Sequence, residues 1–162
     1  MHRPALSAVL IALAACGGSP TAEQLHTDAL DALSRGDYAR AVDRLERAVE
    51  ASSGTDRAPA LAFELALARI HIDRFEAQIE FDGIVAEHPT ALSGGDYYEF
   101  ARRMRDSGDS KRALSTVHAA IGRFGLEASP RLAALLTQLE ADADSDDELQ
   151  SMLVGLGYLS QR

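Results

Sequence analysis

Three stretches of this chain align without a gap when displaced by a constant 36 residues, and that step limits the possible folds more than any other feature. Gly36, Ile72 and Gly108 fall together, as do Ala41, Ala77 and Ala113, then Leu45, Phe81 and Val117, then Ala48, Ile84 and Ala120. A unit of this length cannot bury its own apolar face, so such a chain must stack one unit on the next.

Within each unit the apolar residues recur three or four apart, which is helical spacing. Leu25, Ala29 and Ala32, then Leu61, Leu65 and Ala68, then Tyr97, Ala101 and Met104 mark a first helix. The three later positions of each aligned set mark a second helix. Small residues on both stripes let paired helices approach closely, while larger ones fill the next layer. Thr21 with Gln24, Asp73 with Glu76 and Asp96 with Glu99 fit capping boxes. Ser129-Pro130 is a further helix start. Ser52-Ser53-Gly54, His88-Pro89 and Ser93-Gly94-Gly95 interrupt the pattern. In "SRGDYARAV" Gly36 supplies a left-handed helix exit and Asp37 the next cap, so the Arg-Gly-Asp tripeptide is explained by the turn and not by adhesion.

The segment "ALDALSRGDYARAVDRLERAVEA" resembles a tetratricopeptide repeat through Gly36, Tyr38, Ala41, Leu45 and Ala48. The third unit keeps Ala101, Gly108, Ala113, Val117 and Ala120, with Ser110 in the tyrosine place. The second keeps Ala77, Phe81, Ile84 and Pro89, but Ile72 replaces the turn glycine and Phe75 comes one place late. It also carries Gly83 in a helix interior, at a cost of about 1 kcal/mol relative to alanine. The resemblance implies an all-α fold: a helix-turn-helix solenoid of three repeats, 22–55, 58–91 and 94–127, with a C-terminal capping helix over 128–142. An acidic linker and an apolar segment follow over 143–162, where Leu149, Met152, Leu153, Leu156 and Leu159 either fold back or dock on a partner.

The opening "MHRPALSAVLIALAACGGSP" has a basic n-region, an apolar run from Ala5 to Ala15 and then the chain's single cysteine. That run is too short to span a bilayer and reads as an export signal. "LAAC" closely resembles the bacterial lipobox. The resemblance implies removal of residues 1–15, acylation of Cys16 and a short linker over 16–21, with Gly17 pointing to the outer membrane. From Cys16 onward the chain carries 15 Lys and Arg against 25 Asp and Glu, which disfavours nucleic acid and anionic headgroups and leaves membrane attachment to the lipid.

No cofactor or metal is expected. "EADADSDDE" places Asp142, Asp144 and Asp146 at calcium-loop spacing, but Asp147 stands where glycine is needed and Leu153 where glutamate is. His26, His71, His88 and His118 show no ligand spacing. No nucleophile elbow or phosphate-binding glycine loop occurs, so the expected role is not enzymatic. In tetratricopeptide proteins the first helix of each pair lines a groove. The resemblance carries that role to His26, Leu30 and Leu33, to Ala62, Ala66 and Arg69, and to Tyr98, Arg102 and Arg105. This stripe suits an amphipathic or acidic segment of an unknown envelope protein. The resemblance to small tetratricopeptide lipoproteins of the envelope makes a membrane-anchored adaptor the leading expectation. The alternatives are a homo-oligomer formed through the C-terminal segment, or an envelope enzyme with a dispersed site.

Overall fold

A computed structural model of the chain describes residues 19–126 and 129–160. Among these the structure is all helix and turn: α1 (Ala22–Ser34), α2 (Tyr38–Ala51), α3 (Ala58–Arg69), α4 (Arg74–Glu87), α5 (Gly94–Asp106), α6 (Ser110–Phe124), α7 (Pro130–Asp142) and α8 (Asp147–Gly155), with a 3-10 turn at Ala143–Ser145. Helices adjacent in the chain mostly pack against each other, giving a solenoid-like arrangement.

The alanine stripes explain the close pairs. Ala29, Ala32, Ala41 and Ala48 are completely buried between α1 and α2, with Leu25 and Leu45 filling the layer beside them. In the third pair Ala101, Met104, Ala113, Val117 and Ala120 do the same. The boundary between the second and third pairs is built from aromatic rings instead. Phe81 stacks on Phe100 at 4.1 Å and meets the edge of Tyr97 at 5.0 Å, and Tyr97 in turn meets Phe124 at 5.5 Å. Such offset and edge-to-face pairs stabilise by about 0.5–1.5 kcal/mol each beyond their buried area.

The turns divide into two kinds. After α1 and α5 the chain turns at Gly36 and Gly108, both at positive φ (72° and 88°). There the amides of Asp37 and Asp109 donate back to the carbonyls of Ala32 and Met104, closing the wide loop of a Schellman end. Ile72 at the equivalent place cannot adopt that backbone cheaply, and no described non-glycine residue has positive φ. The Asp73 amide therefore donates one residue nearer, to Arg69. The three aspartates still cap the next helix, accepting from the amides of Arg40, of Phe75 and Glu76, and of Arg112.

The first residue of each second helix reaches the turn of the following unit. Tyr38 stacks on His71 at 3.8 Å, Arg74 donates to the Ser107 carbonyl at 2.5 Å, and Ser110 donates to Asp142 at 3.2 Å. This explains how serine and arginine stand in the tyrosine place: the joint between units is kept while its chemistry changes.

Two expectations are corrected. α5 begins at Gly94, with Asp96 accepting from the Ser93 amide and hydroxyl at 2.8 and 2.7 Å, so Asp96 closes the start of the helix from its third position instead of preceding it. Two glycines read as a break, yet a helix first turn tolerates them. The C-terminal part is also more regular than a lone cap followed by a linker. First helices begin at 22, 58, 94 and 130, again 36 apart, and second helices at 38, 74, 110 and 147. Leu149 and Leu153 stand 36 residues after Ala113 and Val117 and are likewise completely buried, so α7 and α8 form a fourth, shorter pair folded back on the third. Lys111 pairs with Glu148 at 2.5 Å and His118 Nδ1 lies 2.9 Å from the Tyr158 hydroxyl, which ties this last pair to α6.

Candidate functional site

Cys16, the expected lipidation position, lies outside the described residues. The expected groove residues can be placed, and most of them already have partners within the chain. His26 Nε2 lies 2.6 Å from Glu64 while its Nδ1 faces the Arg57 guanidinium at 3.3 Å, which gives both ring nitrogens a partner. Leu33 packs against the cluster of Ala29, Val42, Leu45, Leu65 and Ala68. Ala62 is partly buried, and Ala66 is wholly buried.

The arginines are equally engaged. Arg102 forks onto Glu99 and reaches Asp106 at 2.7 Å. Burial raises the Glu99 carboxyl, but the hydrogen bonds from Arg102 and Arg103 outweigh it and hold the group below the usual carboxylate range. Arg105 grips Asp142 with two nitrogens at 2.7 and 3.0 Å and donates to Gln138 at 3.0 Å, so it joins α5 to α7. That bond keeps the Asp142 carboxyl low. The Asp146 carboxylate is occupied as well, accepting from the amides of Glu148 and Leu149 as the cap of α8. Tyr98 lies under the Arg131 guanidinium at 5.8 Å. Of the expected stripe, Leu30 is the residue left plainly open, at 48% exposure.

The open place in the fold meets the expected stripe only at Ala62. Between α2 and α4, over α3, lies a cleft of about 950 Å³. Pro59, Ala62 and Leu65 of α3 form its floor, with Val49 on one wall and Ile84 on the other. Its acidic groups are Glu50, Asp56, Glu80 and Glu87. His88 also lines it, and among the described residues no lysine or arginine does.

Glu80 is the unusual member. Arg69 stands between Glu46 of α2 and Glu80 of α4, with its Nε 2.9 Å from Glu80 Oε1. That approach is close enough for an ion pair but out of line for a hydrogen bond, and Glu80 Oε2 is shielded from water with no partner among the described residues. Burial pushes the Glu80 carboxyl up to about 7; Arg69 pulls it back only in part, and the nearby charges of Glu46 and Glu76 raise it further.

Gly83 lines the same cleft, and a Cβ added there would meet nothing within 4 Å. Its helix-interior cost was visible in the sequence, but its position was not. A second exposed feature also grows from the irregular second unit: Ile72, Phe75 and Ile79 are all about half exposed and follow one face of the α4 start, with Arg112 set 5.5 Å over the Phe75 ring. No family model, curated protein or solved structure matches this chain.

Proposed function

We propose that the chain is a tetratricopeptide-like adaptor, tethered by lipid at Cys16 to a bacterial envelope membrane, that holds a segment of another envelope protein. The observation carrying this reading is the regular helix-pair step of 36 residues, with Gly-Asp turns at Gly36-Asp37 and Gly108-Asp109 and Tyr38 at the joint between units. Stacked pairs of this kind present long lateral surfaces, and their usual use is to receive an extended or helical segment. The ionisable side chains of the first helices are largely spent on one another, as in the Arg102–Glu99 and Arg105–Asp142 pairs, which suits a scaffold better than a site that must transfer protons. Self-association through the C-terminal segment is less favoured, because Leu149 and Leu153 are buried in the chain's own core.

Two measurements in cells test the reading. A photo-crosslinking residue in place of Leu30 should capture a defined partner from membranes, and Cys16→Ala should move the protein out of the membrane fraction. If the variant sediments with membranes as before, the lipid tether is wrong. If neither Leu30 nor Ala62 yields a crosslinked partner, the adaptor reading falls.

A further inference from the structure

We propose that the cleft between α2 and α4 receives a cationic amphipathic helix of a partner protein, its apolar side chains on the α3 floor and a lysine or arginine against Glu80. The inference rests on the adaptor reading and gives it a place and a partner chemistry. Three independent features converge there.

The first is Gly83. A glycine in a helix interior is unfavourable against alanine, and nothing among the described residues comes within 4 Å of a Cβ at this position. A bare stretch of α4 instead lets a second backbone approach closely, as small residues do wherever helices cross at short range. Ala62, on the floor, is small too.

The second is the unmatched charge. Two carboxylates, Glu46 and Glu80, share the guanidinium of Arg69, and Glu80 Oε2, shielded from water, has no donor among the described residues. A buried acceptor without a donor is destabilising, and Glu80, whose side chain is 24% exposed, gains that donor from an entering ammonium or guanidinium once its carboxylate turns toward the opening. Glu50, Asp56 and Glu87 around the same opening repel an anionic partner and attract a cationic one. The chain's formal charge of −9 acts in the same direction at longer range.

The third is shape. At about 950 Å³ the cleft has the size of a ligand site, and its apolar floor and walls leave room for several side chains of a helix laid along it. Helix-in-groove docking uses such a surface, with anchors three and four residues apart.

The test uses the full chain in a non-ionic detergent and a dye-labelled synthetic helix of ~14 residues, about four turns, with leucine on one face and lysine on the other. Fluorescence anisotropy should show saturable binding. Gly83→Leu, whose Cβ meets nothing within 4 Å among the described residues, and Glu80→Gln should each weaken binding at least tenfold, with circular dichroism reporting that both variants remain helical. A Leu/Glu helix and a Ser/Lys helix should bind at least tenfold more weakly than the Leu/Lys helix. Unchanged affinity in Gly83→Leu, or equal binding of the Leu/Glu helix, overturns the proposal. In cells, a partner captured at Leu30 whose yield is unaffected by Gly83→Leu overturns the cleft while leaving the adaptor reading intact.

Discussion

The stripe along the first helices and the cleft between α2 and α4 differ in how completely the chain uses its own charges. Along the stripe, Arg102 is matched by carboxylates of its own helix and Arg105 by Asp142, a bond that joins α5 to α7. In the cleft, Glu80 shares one arginine with Glu46 and keeps an oxygen without a donor, beside a glycine that shields nothing. Charged residues on a repeating helical face therefore do not by themselves mark a binding surface. What marks one is charge the fold leaves unsatisfied.

The contrast depends most on Arg69, whose side chain is 19% exposed. Arg69→Ala would leave two carboxylates facing each other across α3. Removing one member of a fully buried pair costs roughly 3–5 kcal/mol; with the partial exposure here the expected loss is about 2 kcal/mol. The loss is read from the urea midpoint at pH 8. Combining Arg69→Ala with Glu80→Gln should recover part of it, since the charge left behind is then absent. A single-variant loss below about 0.5 kcal/mol would mean that the three groups are better solvated than the geometry implies.

The next effect is a pH dependence. Because the folded-state pKa of Glu80 is raised to about 7, its contribution to stability is fully present below the unfolded carboxyl value and is lost as pH rises through about 7. With discount for the 24% exposure of its side chain, that is about 2 kcal/mol between pH 5 and pH 8. His71 acts in the opposite sense over the same range. Its pKa is lowered by burial and by Arg103, so its contribution is present above the ordinary histidine value and is lost as pH falls. The informative measurement is therefore the difference between wild type and Glu80→Gln in urea unfolding across that range. The variant should lack the fall toward alkaline pH, and parallel curves would contradict an elevated Glu80.

The step of 36 and the alanine stripes of the core were legible in the sequence, because alanines at fixed helical spacing serve as close helix contacts, whereas Phe100 and Leu114, both completely buried, were not. All of Ala41, Ala77 and Ala113 are completely buried. The Gly36 and Gly108 turns were legible for an equally local reason, since their backbone needs glycine. What escaped was nonlocal. Arg105 finds Asp142 thirty-seven residues away, and no periodicity in one helix predicts the carboxylate that a later helix brings to it. Asp96 with Glu99 looked like a box start, but Asp96 reaches back to Ser93 while Glu99 turns to arginines. The docking of α8 depends on whether α6 leaves room for Leu149 and Leu153, which is a property of the packed fold. The cleft announced itself in the sequence only through the misplaced Gly83.

That glycine gives the smallest effect and the sharpest distinction. Gly83→Ala replaces the poorest common helix residue but proline with the best, at a site where the new methyl group meets nothing within 4 Å. If the free protein were all that mattered, alanine would be better there, and the variant should be more stable by about 1 kcal/mol, raising the thermal midpoint by a few degrees. The same methyl group would stand in the path of a helix lying against α4, so the Leu/Lys helix should bind less tightly as the protein gains stability. A substitution that improves the fold and weakens docking locates the reason for the glycine outside the folded chain. A loss of stability, or unchanged docking, would return Gly83 to the fold's own needs and leave charge alone to distinguish this cleft from the paired stripe.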